Sequence, residues 1–372
     1  MRKVLLRIIF DQLWLLQSEG NELWVGYGWA IVAWLVCAAV GLGVLWQLTR
    51  DRVQVQSSLL FWLSIPVSLV LVPMLRLPFA KSGIPVFGYG FMMFVGFSTG
   101  TLLAARRAES VGLKSDVVWD LMMWLLIPGL IGARIIYLSQ NWQRVMGGKS
   151  GLAFFKSAVA LWDGGIVFYG CIIGGVIGLL IYSKRIGVRP LQLADVIMPS
   201  LFVGLGFGRI GCFLYGCCYG GACDLPWAVQ FPPDSMTFEA LTIKAPDMLM
   251  PDGSATVPLH PTQIYSSILA FLLAGVLTWY FPRRTCEGTV FALGWMLYPV
   301  NRFILESIRD DEPDRMFNMT FSQNMSVALF LMGVVLMIWL QMRQRQQSAP
   351  AATAAQASPP ASQSPPAAST DS

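Results

Sequence analysis

Nine stretches of this chain are apolar over about the 20 residues that a helix needs to cross a bilayer: 24–48, 58–76, 86–105, 117–138, 165–183, 192–210, 264–281, 288–308 and 323–342. Such a chain is predicted to fold as an all-α, polytopic membrane protein. Composition agrees: 55% of the 372 residues are hydrophobic, mean hydropathy is +0.58 and only 13% are charged. A soluble domain carries about twice that charged fraction. The net charge of +5 is small and no basic run is present, which argues against a nucleic-acid partner. A single histidine, His260, excludes a histidine-rich metal centre.

The ends read differently from the middle. The opening "MRKVLLRIIFDQLWLLQ" is basic, then apolar, but Asp11 interrupts it and no small-residue cleavage site follows. It is expected to be an amphipathic interfacial segment or a short pre-helix. From about Gln347 the sequence turns to Ala, Pro and Ser, which predicts a disordered tail over 347–372. The expected organisation is an N-terminal extension over 1–80 with two spans, a transmembrane core over 81–346 containing a large loop at 211–263, and that tail.

Alternate short connections are basic: Arg50 and Arg52; Arg106, Arg107 and Lys114; Lys184, Arg185 and Arg189; Arg283 and Arg284; Arg343 and Arg345. The positive-inside rule puts these in the cytoplasm and the longer connections, 139–164, 211–263 and 307–314, on the other face. Arg2, Lys3 and Arg7 then fall outside, against the rule, so the first span is the weakest part of this topology.

Charged side chains at membrane depth are costly and so mark candidate function. In "LYPVNRFILESIRDDE", Tyr298, Arg302, Glu306 and Arg309 recur at helical spacing and predict one stripe on a helix. The stripe is either a buried ion-pair ladder or, having two arginines to one glutamate, a partial anion site. Arg209, set among glycines in "GFGRIGCF", supplies another cation with a planar fork suited to phosphate. Arg134 in "GLIGARIIYL" either joins it or holds the structure together. Tyr89, Tyr169 and Tyr265 stand near the ends of spans, where tyrosine is ordinarily an interfacial anchor.

Between about 86 and 342 the chain resembles the bacterial prolipoprotein diacylglyceryl transferases, which are seven-span inner-membrane enzymes. The resemblance rests on "YGFMMFVGF", "GARIIYL", "WDGGIVFYG", "ADVIMPSLFVGLGFGRIGCF", "PWAVQFPP", "HPTQIY", "RFILESIRDDE" and "TFSQNMS", in the family's order and spacing. It implies transfer of the diacylglyceryl group from phosphatidylglycerol to the lipobox cysteine of a prolipoprotein. The product is a thioether, glycerol phosphate leaves, and the active site faces the periplasm. The bilayer, phosphatidylglycerol and prolipoprotein signal peptides are the implied partners, with no cofactor and no metal.

On the same basis Arg209 matches the signature arginine that contacts the headgroup, Arg302 the second essential arginine, and Tyr89 and Tyr298 the essential tyrosines. Glu306 and Arg309 also match the family pattern. Three positions depart from it. Tyr169 stands where a histidine is common, Cys212 where many members have asparagine, and Tyr215–Gly220 reads "YGCCYG" where many continue Asn-Gly-Glu. Candidates to take the thiol proton are then His260 and Glu306, with Tyr169 as a hydrogen-bond donor, although "HPTQIY" also reads as a capped helix start. The expectation is that the arginines lower the acceptor thiol's pKa without a dedicated strong base. The other reading is a divergent paralogue that binds anionic phospholipid without transfer; a transporter finds no inverted repeat in its support.

Cys212, Cys217, Cys218 and Cys223 follow a C-x4-C-C-x4-C pattern, unlike the separated pairs of most zinc sites. A structural role, as disulfides or buried thiols, is expected ahead of a metal site or a direct part in catalysis.

Overall fold

Helices form over the apolar runs in the computed structural model, which describes residues 4–9, 14, 16–19, 22–49, 84–147, 151–159, 165, 167–233, 235–309 and 319–356. In chain order the helices are α1 (Tyr27–Thr49), α2 (Gly88–Glu109), α3 (Ser115–Gln140), α4 (Trp142–Met146), α5 (Gly151–Val159), α6 (Phe168–Ile186), α7 (Pro190–Tyr215), α8 (Met236–Lys244), α9 (Thr262–Tyr280), α10 (Thr289–Glu306) and α11 (Phe321–Gln356). The chain is an all-α, multi-pass membrane protein.

Among the described residues, six helices are long and apolar enough to cross a membrane: α2, α3, α6, α7, α9 and α11. This is fewer than the nine spans expected. The expected span at 58–76 lies outside the described residues. α1 takes up the expected 24–48 span only from Tyr27, because the first three residues of that stretch belong to a strand, and α10 has the length but carries Arg302 and Glu306. α11 continues to Gln356, beyond the expected start of the tail at 347, through alanines of high helix propensity; residues 357–372 lie outside the described set.

The N-terminal segment corrects the sequence reading. It forms strands rather than a short pre-helix: β1 (Val4–Ile9), β2 (Leu16–Glu19) and β3 (Glu22–Gly26), joined by β4 (Ile84–Phe87) in the order β2-β3-β1-β4. β1 runs parallel to β3 and antiparallel to β4. Its Val and Ile residues favour a pleated surface, and its partner β4 lies far along the chain, where no local periodicity reveals it.

Residue contacts divide the chain into two units. The first contains 1–103, 200–272 and 304–320, so it holds the sheet, the first part of α2, the end of α7 and the start of α9. Close approach of small residues organises it. A Cβ on Gly100 would lie 3.1 Å from the Ser200 carbonyl oxygen, and one on Gly206 2.7 Å from the Phe271 ring. The Ser267 hydroxyl donates to the Gly206 carbonyl at 2.9 Å, so α7 and α9 are bonded as well as packed. The loop after α7 has its own small core of Phe231, Leu241 and Leu259.

The second unit contains 104–199, 273–303 and 321–372. In it α3 and α6 meet along glycines, with Gly170 against Gly132, Gly174 against Pro128 and Gly178 against Trp124. Small residues are what let membrane helices approach this closely. Asp195, fully buried, accepts from the Gly288 and Phe291 backbone N–H groups at 2.8 and 2.9 Å and pairs with Arg284 Nε at 3.6 Å. A carboxylate of α7 therefore caps the start of α10, where the free N–H groups and the helix dipole favour negative charge.

Candidate functional site

Arg209 stands in the last turns of α7, half-buried. Two residues on, a Cβ added to Gly211 would meet the Tyr89 ring at 3.0 Å, so the start of α2 lies directly against this part of α7. The Tyr89 ring is also 6.4 Å from that of Tyr215. Arg209 lies within electrostatic range of Tyr89, Cys212 and Cys218. Among the described residues no hydrogen bond or ion pair engages its guanidinium. A half-buried arginine with its donor fork uncommitted is a ready anion ligand.

The other arginines differ. Arg107 donates to the Val196 carbonyl at 2.9 Å. Arg134, buried on α3, donates to the carbonyls of Ser157, Ala158 and Gly165 at 2.7, 2.9 and 3.1 Å and lies 5.2 Å from the centroid of the Tyr137 ring. Two of those carbonyls belong to the last turn of α5, which attracts a cation. The third belongs to Gly165, three residues before α6, so Arg134 holds the backbone at that point. Arg302 donates from Nη2 to the Ser322 hydroxyl at 3.1 Å.

The stripe on α10 is shorter than the spacing predicts. Tyr298, Arg302 and Glu306 are helical, but the helix ends at Glu306. Arg309 sits in the turn beyond, its N–H bonded to the Glu306 carbonyl at 3.1 Å. Glu306 is buried and accepts from the Thr320 hydroxyl at 3.4 Å. Tyr169 is the second residue of α6 and is 45% exposed.

Beyond α7 the chain turns back on itself. The N–H groups of Gly216 and Cys217 both bond the Cys212 carbonyl, at 2.9 and 3.1 Å. Gly216 has φ +75° and Cys218 φ +62°, left-handed conformations that close the turn. The start of α9 then clamps it: the Thr262 hydroxyl donates to the Cys218 carbonyl at 2.8 Å and the Gln263 side chain to the Cys217 carbonyl at 2.6 Å. The "HPTQIY" motif thus both starts a helix and buttresses the cysteine turn; Thr262 carried no signal beyond membership of that motif. His260 precedes α9, with Nδ1 3.4 Å from the Tyr265 hydroxyl. That hydroxyl accepts from Trp227 Nε1 at 2.7 Å, a partner the sequence did not reveal.

All seven cysteines are thiols, and the sulfurs of Cys212, Cys217 and Cys218 lie within 4.8 Å of one another. Cys223 stands apart from this group. Hydrogen bonding with the Cys212 and Cys217 thiols, followed by the charges of Arg209 and Arg309, holds the Cys218 thiol well below the ordinary range. Hydrogen bonding with Cys212 and then with Cys218, together with burial, pushes the Cys217 thiol up.

Residues 78–339 match the family model described as prolipoprotein diacylglyceryl transferase. The chain belongs to this family. Similar proteins include phosphatidylglycerol--prolipoprotein diacylglyceryl transferase 2 of Clostridium perfringens, 33% identical over 68% of this chain and 91% of that protein. The phosphatidylglycerol--prolipoprotein diacylglyceryl transferase of Clostridium tetani is 32% identical over 69% of this chain and 94% of its own length. A relative from Rhodopirellula baltica is 37% identical over 56% of this chain but 44% of its own. For a prolipoprotein diacylglyceryl transferase family member, then, the matched region includes every candidate site residue. β1 to β3 and α1 fall outside it, while β4, which pairs with β1, lies inside it.

Proposed function

We propose that this protein transfers the diacylglyceryl group of phosphatidylglycerol to the lipobox cysteine of prolipoproteins, the first step of lipoprotein maturation, in the cytoplasmic membrane with its active site on the periplasmic side. Family membership supports the reaction, and the uncommitted guanidinium of Arg209 is the observation that supports its site. In the step, the acceptor sulfur attacks the glyceryl carbon that bears the phosphate. The S–C bond forms, the C–O bond breaks, and glycerol phosphate leaves with the bonding pair while the thiol proton is given up. Negative charge grows on the leaving phosphate, and preorganised cations in a water-poor site stabilise it without reorganising.

Arg209 is the headgroup ligand in this reading and Arg302 the second arginine, with Arg309 assisting. Tyr89, Tyr298 and Glu306 are the further residues this reading assigns to catalysis, and Tyr169 donates a hydrogen bond in place of the family's histidine. Cys212 borders the headgroup site, and Arg134 holds the loop before Tyr169. An unperturbed thiol titrates near 8.5, so nearby cations favour the reactive thiolate, and no dedicated base is assigned. His260, tied to Tyr265 at the head of α9, is structural.

Complementation of a bacterium depleted of its own transferase tests the reading. Growth restored by both the parental protein and His260→Ala is the expected result. No rescue by well-expressed parental protein rejects the function; rescue lost with His260→Ala at normal abundance reassigns the proton to the imidazole.

A further inference from the structure

The cluster of three thiols at the end of α7 is not needed for diacylglyceryl transfer as described above, which requires phosphate ligands and an external thiol. We infer that Cys212, Cys217 and Cys218 form a binding site for one soft, closed-shell metal cation of the monovalent copper or divalent zinc class. The sulfurs all lie within 4.8 Å of one another, and those of Cys217 and Cys218 are 3.8 Å apart. Metal–sulfur bonds of about 2.3 Å at tetrahedral to trigonal angles require sulfurs roughly 3.8–4 Å apart. The three therefore surround one ion after shifts of less than about an ångström, and thiolate ligands select soft cations.

The spacing of the cysteines argued against this site, since adjacent cysteines rarely share one zinc, and the backbone explains how they do so here. The turn at Gly216 returns Cys217 over the last turn of α7, and the left-handed φ of Cys218 lets neighbouring residues contribute to one cluster. The carbonyls of Cys217 and Cys218 are fixed by Gln263 and Thr262, the kind of outer support that preorganises a metal site. Gln263 is fully buried, and its amide oxygen has no hydrogen-bond partner among the described residues. That leaves an acceptor in the same neighbourhood for a water bound to the ion. Arg209 and Arg309 oppose the net negative charge of three thiolates around a monovalent or divalent ion. A disulfide would engage only two of the three sulfurs and leaves their convergence unexplained.

The test uses the full-length protein, reduced and purified in detergent, titrated with Cd2+ while the thiolate-to-metal charge-transfer absorption is followed. The expected result is saturation at one ion per chain. Cys212→Ser, Cys217→Ser and Cys218→Ser should each weaken binding at least tenfold, and Cys223→Ser should leave it unchanged. Thermal melts of the metal-free variants establish that each is folded. The unmutated chain gives a second readout: bound Cd2+ should protect residues 212, 217 and 218, and not 223, from alkylation followed by mass spectrometry. Absence of a saturable band, parental affinity in Cys212→Ser, or loss of two hydrogens as a disulfide once reductant is removed would each overturn the assignment. None of these readouts depends on transfer activity, so the site and the transferase reading stand or fall separately.

Discussion

Arg209→Ala is expected to reduce diacylglyceryl transfer by about 10²- to 10³-fold, corresponding to the ~3–4 kcal/mol lost when one preorganised charge-stabilising donor is removed from a transition state. Abundance in the membrane and thermal stability should stay close to parental, because no hydrogen bond or ion pair among the described residues engages this guanidinium. Lysine at 209 should recover only part of the loss, since an ammonium restores charge but not the planar fork. Arg134 provides the contrast. Its three bonds to backbone carbonyls mean that Arg134→Ala leaves three part-buried acceptors without this partner, so protein abundance should fall with activity. Initial rates normalised to folded protein separate the two arginines, and equal normalised losses would contradict the assignment of one to substrate and the other to structure.

The largest effect on folding is expected at the α3–α6 contact. A side chain at Gly174 meets the Pro128 carbonyl and lies 3.0 Å from the Gly129 Cα, and one at Gly178 meets the Trp124 carbonyl. These obstacles are backbone, which cannot rotate away, so Gly174→Leu must push the helices apart. Overpacking typically costs about 1–3 kcal/mol, and with backbone as the obstacle the effect should reach or exceed the upper figure. Gly175→Ala is the matched control, since its Cβ would be 4.0 Å from the nearest atom, the Leu125 carbonyl oxygen. Melting curves in detergent should show a large drop for Gly174→Leu and little change for Gly175→Ala. Equal stability of the two would mean that α3 and α6 do not pack through this face.

The helices were legible because crossing a bilayer demands long uninterrupted apolar runs, and that demand is local in sequence. Thus 117–138 and 264–281 anticipated α3 and α9 to within a few residues. What was not legible is non-local. Pairing of β1 with β4 joins the two ends of the first hundred residues, and nothing within "VLLRII" announces it. At Arg309 the periodicity overran, because spacing alone does not reveal that the helix stops at Glu306. The site was partly visible: Arg209 among glycines reads as a cation at a close backbone approach, and the structure adds that its fork is uncommitted. The cysteine pattern did not reveal the convergence of three sulfurs, because spacing does not show that Gly216 and Cys218 adopt left-handed conformations. Asp195 drew no notice in the sequence, since its partners, Gly288, Phe291 and Arg284, lie about ninety residues away.

The central claim, that this chain joins a diacylglyceryl group to a prolipoprotein thiol, is tested most directly by mass spectrometry. Purified protein would be incubated with phosphatidylglycerol vesicles and a synthetic signal peptide carrying a lipobox cysteine. The predicted result is a gain by the peptide of one diacylglyceryl group, dependent on its cysteine and on phosphatidylglycerol. A peptide of unchanged mass, in the presence of folded protein that binds phosphatidylglycerol, would contradict the account and identify a lipid-binding relative that has lost the reaction.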